Sequence, residues 1–479
     1  MFLSTNLLAI SQNVSTFVGQ TKGITMTDIK QLYELYRQST GITTDSRDCP
    51  EGSIFVALKG DNFDGNKFAL QALDKGCAYA IVDSEATNNP KLIKVDDCLK
   101  TLKLLAREHR RQFNIPVIAI TGTNGKTTTK ELVRAVLSEK YNVLATEGNF
   151  NNDVGVPKTL LRLRPEHEIA IIEMGASHPG DIKTLAETAE PTCGLITNVG
   201  HAHLQGFGSF EGVIKTKGEL YDFLRTRQNG LIFINADNDY LTDLIGDDDP
   251  LWVVPYSTDP DKQYTCISGE QILPSSEQSG EASPFLRLRW RKPLMELEET
   301  GESQKWHKVQ TQLIGAYNID NVMAAVAVGV NFGVERRAIC HAIESYQPTN
   351  SRSQLVQTAK NRLIVDAYNA NPSSMMAALQ NFSVTDAAGM KKMLILGDMR
   401  ELGQYSTEEH KKIIDFIGEM QVDEVWLVGS EFGQISCPYR KFPSAEEVKT
   451  AIAANPPVDC LILVKGSNST RLHQLPALL

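Results

Sequence analysis

Short apolar runs alternate with helical patterns through most of the chain. Val117–Ile120, Asn142–Thr146, Ile169–Met174, Gly194–Val199 and Leu231–Asn235 read as buried strands, with helical patterns such as Lys130–Lys140 and Gly180–Thr188 between them. Runs that are apolar throughout, rather than alternating, belong to strands covered on both faces, which implies a mostly parallel sheet wrapped by helices. Leu363–Val365, Met393–Leu396, Val425–Val428 and Leu461–Val464 repeat the pattern and predict a second, doubly wound sheet. Upstream, Ile29, Leu32, Tyr33, Leu35 and Tyr36 recur at helical spacing. An apolar run from Ser53, a helix over Lys67–Lys75, a strand at Ala78–Val82 and a basic helix at about Leu99–Gln112 complete a small N-terminal α/β unit. Strict alternation in Leu286–Trp290 and Lys308–Leu313 predicts antiparallel hairpin structure.

The fold class is therefore α/β with three domains: a small N-terminal α/β domain (26–112), a central domain with a mostly parallel sheet (113–346) and a C-terminal Rossmann-like domain (347–479). Residues 1–25 read as an N-terminal extension, because Met26 opens the first helical pattern and the patch Leu7-Leu-Ala-Ile10 lacks the basic flank of a signal peptide. A net charge of −10 argues against nucleic-acid binding through bulk charge. No apolar run approaches the ~20 residues needed to span a bilayer. The eight cysteines include no C-x-x-C pair, as expected of reduced thiols in a cytoplasmic protein.

Chemistry concentrates where strands end. The first central strand runs into Gly122-Thr-Asn-Gly-Lys-Thr-Thr128, and a helical pattern resumes from about Thr128. Two glycines, a lysine and a threonine between strand and helix make a phosphate loop. Gly122, Thr123, Asn124 and Gly125 would offer backbone N–H groups, Lys126 would reach the β- and γ-phosphates of ATP, and the hydroxyls of Thr127 and Thr128 begin the helix, Thr127 as a ligand for Mg²⁺. Only two residues separate the glycines, where the common loop has four.

Further polar groups follow the other strands. Glu147 to Pro157 is a polar, glycine-punctuated loop containing Asn151 and Asn152. Glu173 ends a buried strand, placed to hold Mg²⁺. Asn198 and the His201-Ala-His203 pair follow the next strand; two histidines without a nearby cysteine make a weak zinc site. Lys215 and Lys217 precede Glu219 on a helix. Asn318 and Asn321 share a helical face, with capping as one role for either. Asp366 ends a C-terminal strand and would accept from ribose hydroxyls; Tyr368-Asn-Ala-Asn371, Gly397-Asp-Met-Arg-Glu-Leu-Gly403 and Lys465-Gly-Ser467 lie just beyond strands of the same sheet. In the N-terminal unit, Asp45-Ser-Arg47, Lys59-Gly60 and Phe63-Asp-Gly65 are turn residues or ligand contacts.

This loop and the order of these motifs resemble the Mur ligase family, which also includes folylpolyglutamate synthases, over nearly the whole chain from residue 26. The resemblance implies an ATP-dependent amide ligase acting through an acyl phosphate. Asn-Phe-Asn-Asn-Asp153, Asp-Ala-Tyr-Asn-Ala-Asn-Pro372 and Gly-Asp-Met-Arg-Glu-Leu-Gly403 point to the member that joins D-alanyl-D-alanine to a UDP-linked muramoyl tripeptide. By that resemblance Asp45, Ser46, Arg47, Lys59 and Asp64 would bind the uridine-diphosphate end, and Asn151, Asn152, Tyr368, Asn369 and Asn371 would face substrate. Asn318 and Asn321 would lie on the adenine side, and Arg352 would cross onto the phosphates. Thr127 and Glu173 would hold one Mg²⁺; His203 and a carbamylated Lys217, or else Lys215, the second. Many relatives place Asp before that histidine, where this chain has Ala202. A soluble monomer without nucleic-acid partners is expected. The alternatives are another amino-acid ligase on this scaffold, a folylpolyglutamate synthase-like enzyme, and a nucleotide-binding interaction protein; Asp45-Ser-Arg47 opposes the second.

Overall fold

The apolar positions of the first helical pattern do what their spacing requires. In helix α1 (Met26–Gln38) Ile29, Leu32, Tyr33 and Tyr36 are all buried. The structure, a computed structural model, describes residues 26–60, 62–84, 89–246, 248–259, 262, 265–273, 284–293, 305–348 and 352–479; the expected extension at 1–25 lies outside them. The chain forms two compact bodies. One takes the chain up to Val117 with 144–174 and 184–191; the other takes 118–143, 175–183 and 192–479.

In the first body, strands β1 (Ile42–Thr43), β2 (Ile54–Val56), β3 (Tyr79–Val82) and β4 (Leu92–Lys94) form a parallel sheet in that order. Helices α2 (Ala69–Asp74) and α3 (Cys98–Arg110) accompany it, the latter close to its expected bounds. A buried polar cluster binds α1 and α3 to the later segment. His109 bridges the Tyr33 hydroxyl and the Leu163 carbonyl, 3.1 Å each, and the Tyr36 hydroxyl donates to the Leu161 carbonyl at 2.5 Å. Burial pulls the His109 pKa down to about 4, so the ring stays neutral and can accept from Tyr33 while donating to Leu163.

In the second body, β5 (Val117–Thr121), β6 (Cys193–Ile196), β7 (Leu231–Asn235), β8 (Trp252–Ser257) and β9 (Ile267–Gln271) run parallel, neighbour to neighbour. The expected hairpin, β10 (Phe285–Arg291) with β11 (His307–Ile314), extends them antiparallel. Strands β8 and β9 were not expected. Pro255 sits inside β8 and Trp252 and Val253 are exposed, while β9 is short, polar and carries Gly269.

The C-terminal sheet takes the order β12 (Gln354–Gln357), β13 (Arg362–Asp366), β17 (Cys460–Lys465), β14 (Lys391–Gly397), β15 (Glu424–Val428), β16 (Arg440–Phe442); only β12 is antiparallel. Leu394 and Leu396 pack with Leu379 and Phe382 of α7 (Pro372–Val384) and Ile413 and Ile417 of α8 (Ser406–Glu419). Met393 and Ile395 face the other way, toward Val448 and Ile452 of α9 (Ala445–Ala454). That alternation is the period of a strand covered on both faces.

Candidate active site

Beyond β5 the chain needs two backbone conformations that a side chain opposes. Gly122 has φ +139°, and a Cβ there would lie 2.0 Å from the Thr197 hydroxyl oxygen; Gly125 has φ +77°, and a Cβ would lie 2.4 Å from Asn321 Oδ1. Gly125 is the N-cap of α4 (Lys126–Ser138), which starts before the expected Thr128 because a left-handed glycine cap and a polar first turn hide its onset. The loop is braced from the end of β6. Thr123 N donates to the Asn198 carbonyl at 2.9 Å and Asn124 N to Asn198 Oδ1 at 2.9 Å; the Thr197 hydroxyl donates to the Asn124 carbonyl at 2.6 Å. Lys126 Nζ folds onto the Gly122 and Thr123 carbonyls, at 2.7 and 2.9 Å. Thr127 is buried in the first turn.

Asn318 and Asn321 do share a face at the head of α6 (Ile319–Asn331), but neither uses its side chain as a helix cap. Thr129 donates to Asn321 Oδ1 at 3.0 Å, Asn321 Nδ2 to Asn318 Oδ1 at 2.9 Å, and Asn318 Nδ2 to the Ile314 carbonyl at 2.7 Å. This buried relay ties α4 to α6.

On α5 (Phe210–Arg225) the two candidate lysines separate: Lys217 is 2% exposed, whereas Lys215 is exposed. Lys217 Nζ lies 5.5 Å from the Phe207 ring centroid. Burial, and then the charge of Lys126, hold its pKa well below the ordinary lysine value. Glu219 is committed elsewhere, accepting from the Gly180 and Lys183 N–H groups at 2.8 Å each. His203, at φ +51°, turns its Nδ1 onto the carboxylate of Glu401 in the loop after β14. Among the described residues no three His, Cys, Asp or Glu side chains gather as a metal site. A metal here would need a hydroxyl or a modified lysine among its donors.

The C-terminal candidates lie near β13. The Arg352 guanidinium stacks 4.0 Å above the Tyr368 ring centroid, and the neighbouring Ser353 shares a 2.7 Å hydrogen bond with the Tyr317 hydroxyl. Asp366 pairs with Lys465 at 2.5 Å, and Lys465 is 1% exposed. Asn369 Oδ1 accepts from Ala370 N at 2.9 Å. Asn371 caps α7 in a capping box with Ser374, and its amide also reaches Asn124 of the phosphate loop.

The first body holds the remaining candidates. Glu173, 1% exposed, accepts from Asn151 Nδ2 at 2.8 Å. Asn152 accepts from Gly155 N at 2.8 Å, at the start of a short helix. Asp45 and Arg47 pair at 2.7 Å, which holds the Asp45 carboxyl far below the usual carboxylate range, and the Ser46 carbonyl accepts from Lys75 at 2.7 Å. Lys59 pairs with Asp83 at 2.7 Å, and Asn66 Nδ2 bridges Asp64 and Asp83 at 2.7 and 2.8 Å. Lys59 and Asp64 thus join one network, and Asp45–Arg47 form another.

Three family models match in succession: Mur ligase family, catalytic domain, over 38–110; Mur ligase middle domain over 120–329; and Mur ligase, glutamate ligase domain, over 351–468. A Bacillus subtilis protein named UDP-N-acetylmuramoyl-tripeptide–D-alanyl-D-alanine ligase is 33% identical over 91% of this chain and 92% of its own length. The chain belongs to the Mur ligase family. A relative of the same name from Escherichia coli is 34% identical over 91% of this chain and 92% of its own. Among solved structures, MurF from Acinetobacter baumannii superposes with a TM-score of 0.80 at 29% identity, covering 94% of this chain and 97% of that one. MurF ligase from Thermotoga maritima, solved with ADP, shares the fold at a TM-score of 0.78 and 24% identity over 93% of this chain and 97% of that one.

Two groups of this Mur ligase carried no role in the sequence. Lys465 and Glu401 lie inside motifs already noted, but their partners, Asp366 and His203, are 99 and 198 positions away. Pairing across such separations leaves no local pattern; only the placement of both members beyond strand ends hinted at it.

Proposed function

We propose that this Mur ligase uses ATP to join D-alanyl-D-alanine to the peptide carboxylate of UDP-N-acetylmuramoyl-tripeptide, in peptidoglycan precursor synthesis in the cytoplasm. The extent of its likeness carries this reading, since relatives of that name match nearly end to end. Residues 26–112 would bind the UDP substrate, 113–346 ATP, and 347–479 would complete the ligase site, in a monomer.

The obstacle is charge: a carboxylate must approach a polyphosphate. Gly122 to Thr128 would cradle the phosphates with backbone N–H groups at a helix N-terminus. Lys126 would leave the loop carbonyls to meet the β- and γ-oxygens, and Arg352 would add a second cation. Asn318 and Asn321 would line the adenine side, and Asp366, steadied by Lys465, would accept from the ribose. Asp45, Ser46, Arg47, Lys59 and Asp64 would hold the uridine-diphosphate end. Asn151, Asn152, Tyr368, Asn369 and Asn371 would face the peptide or the dipeptide. Attack of the carboxylate on the γ-phosphorus breaks its bond to the β–γ bridging oxygen, releasing ADP and giving an acyl phosphate; attack of the dipeptide amine on its carbonyl, with loss of a proton from the nitrogen, forms the amide and expels phosphate. Enclosure of the site would keep water from the acyl phosphate.

Thr127, Glu173, His203 and, once carbamylated, Lys217 are the proposed Mg²⁺ ligands. The surroundings of Lys217 fit: a buried amine biased to its neutral form is the one that takes up CO₂, and the product is a hard oxygen donor. When bound, the metal supplies neutralisation of phosphate charge.

Phosphate release from ATP with UDP-N-acetylmuramoyl-tripeptide, with and without D-alanyl-D-alanine, tests the proposal. Release that requires both, with a UDP-pentapeptide found by mass, supports it. Release driven by a single free amino acid moves the chain to another member's reaction, and no turnover by folded protein refutes the catalytic reading.

A further inference from the structure

The pairing of His203 with Glu401 joins two elements far apart in sequence: the segment after β6, and the loop after β14 in the C-terminal sheet. Both residues occupy the left-handed region, at φ +51° and +64°. Non-glycine residues enter it rarely, and such strain gathers where a side chain must be aimed. The neighbouring backbone is docked as well. Gln205 N donates to the Glu401 carbonyl at 3.4 Å, and a Cβ on Gly403 would come within 3.2 Å of the Gln205 side chain. Tyr405 packs on the small cluster of Leu204, Phe207 and Val213. The Glu401 side chain is 59% exposed, so the contact itself adds little stability. Its effect lies in orientation.

We infer that Glu401 is the positioning residue of His203. Its carboxylate engages Nδ1, fixes the tautomer with the proton on that nitrogen and leaves the Nε2 lone pair as the donor atom for a divalent metal. Because Glu401 lies in the loop after β14 of the C-terminal sheet, the histidine is aimed, and the metal site complete, only while that loop is docked. This inference rests on the reading of His203 as a metal ligand.

Mn²⁺ binding in the presence of ADP, followed through the EPR signal of free Mn²⁺, tests it in the full-length chain. The variants are H203A, E401A, E401Q and the double variant, each checked by thermal melting. E401A is expected to weaken Mn²⁺ binding about 10- to 100-fold. E401Q, whose amide oxygen still accepts from Nδ1–H, should recover most of that loss. The double variant should bind no worse than H203A alone, since Glu401 acts through the histidine. Additive losses overturn the inference, as does an E401A protein that binds normally while H203A does not. If H203A itself binds Mn²⁺ normally, the ligand reading of His203 fails and takes this inference with it.

Discussion

Asn124 of the phosphate loop and Asn371 at the head of α7 exchange side-chain amides. Asn371 Nδ2 donates to Asn124 Oδ1 at 2.8 Å and Asn124 Nδ2 returns to Asn371 Oδ1 at 3.4 Å. Beside them, His201 N donates to the Ser373 hydroxyl at 3.1 Å. The loop after β5 is thus in direct touch with the C-terminal sheet's first helix. Asn371→Asp keeps the oxygen that caps α7 but removes the donor to Asn124. We expect it to melt like the parent and to show a raised KM for ATP. Asn371→Ala loses the cap too and should be about 1 kcal/mol less stable. Thermal melts with steady-state kinetics separate the two effects.

Gly122→Ala places a methyl group against Thr197 at a backbone angle that alanine resists. The protein should still fold, because the surrounding strands are fully buried, but the loop must distort. ADP affinity, measured by calorimetry, is expected to fall at least tenfold, about 1.4 kcal/mol. Unchanged affinity would mean that the loop does not contact the phosphates.

Breaking the Asp366–Lys465 pair from the lysine side leaves the carboxylate without its partner at 2.5 Å. The carboxylate left behind is 19% exposed and partly solvated, so the loss costs on the order of 1 to 2 kcal/mol, and Lys465→Met should lower the melting temperature accordingly. If Asp366 accepts from the ribose, Asp366→Asn should narrow the preference for ATP over 2′-deoxy-ATP. Equal discrimination by parent and variant would remove the ribose assignment.

Burial, then the neighbouring Asp237, raises the pKa of Asp320 on α6 to about 6. The folded protein therefore keeps a proton that the unfolded chain, at an ordinary aspartate pKa of about 3.9, has already released. Stability falls as pH rises through the window between those values and stays lower above it. Asp320→Asn should gain on the order of 2 kcal/mol over the parent at pH 8, with the gain vanishing near pH 4. Urea melts at the two pH values check the sign.

Lys217→Ala should abolish turnover while leaving ADP binding measurable, and short carboxylates added to the buffer should restore part of the activity if a carbamate is the working group. Carbamylation requires the neutral amine, so the parent should lose activity on acidification in CO₂-free buffer and regain it with bicarbonate. Restoration by neither addition would assign Lys217 to packing.

What the sequence revealed tracks what is local. The apolar runs of β5, β6 and β7, and of β13, β14, β15 and β17, stood out because both faces of each strand are covered. Strands β12 and β16 did not, being short, half-exposed edges whose residues, Gln354-Leu-Val-Gln357 and Arg440-Lys-Phe442, carry no period. At the site, the strand–loop–helix around Gly122 and Gly125 was legible because strand, glycines, lysine and helix follow one another. Only the family resemblance put Lys217 ahead of Lys215; the helical pattern around them did not. Their burial divides them, and burial is set by the packing of α5. Nor could the sequence foresee that Asn321 donates to Asn318, which in turn donates to the Ile314 carbonyl, since the same spacing also suits a helix cap.

The Asn124-Gly125 step is the kind of dipeptide at which proteins age. Attack of the glycine nitrogen on the asparagine side chain gives a succinimide, and hydrolysis leaves aspartate or isoaspartate. Here that product would place a negative charge in the glycine-bounded loop after β5 and remove the donor to Asn371. The attack needs the Asn124 side chain to swing toward its own backbone, and the two hydrogen bonds to Asn371 hold it away. Docking of the C-terminal sheet therefore also protects the chemical integrity of the loop, and stored enzyme should accumulate deamidation at Asn124 faster in the Asn371→Ala protein than in the parent.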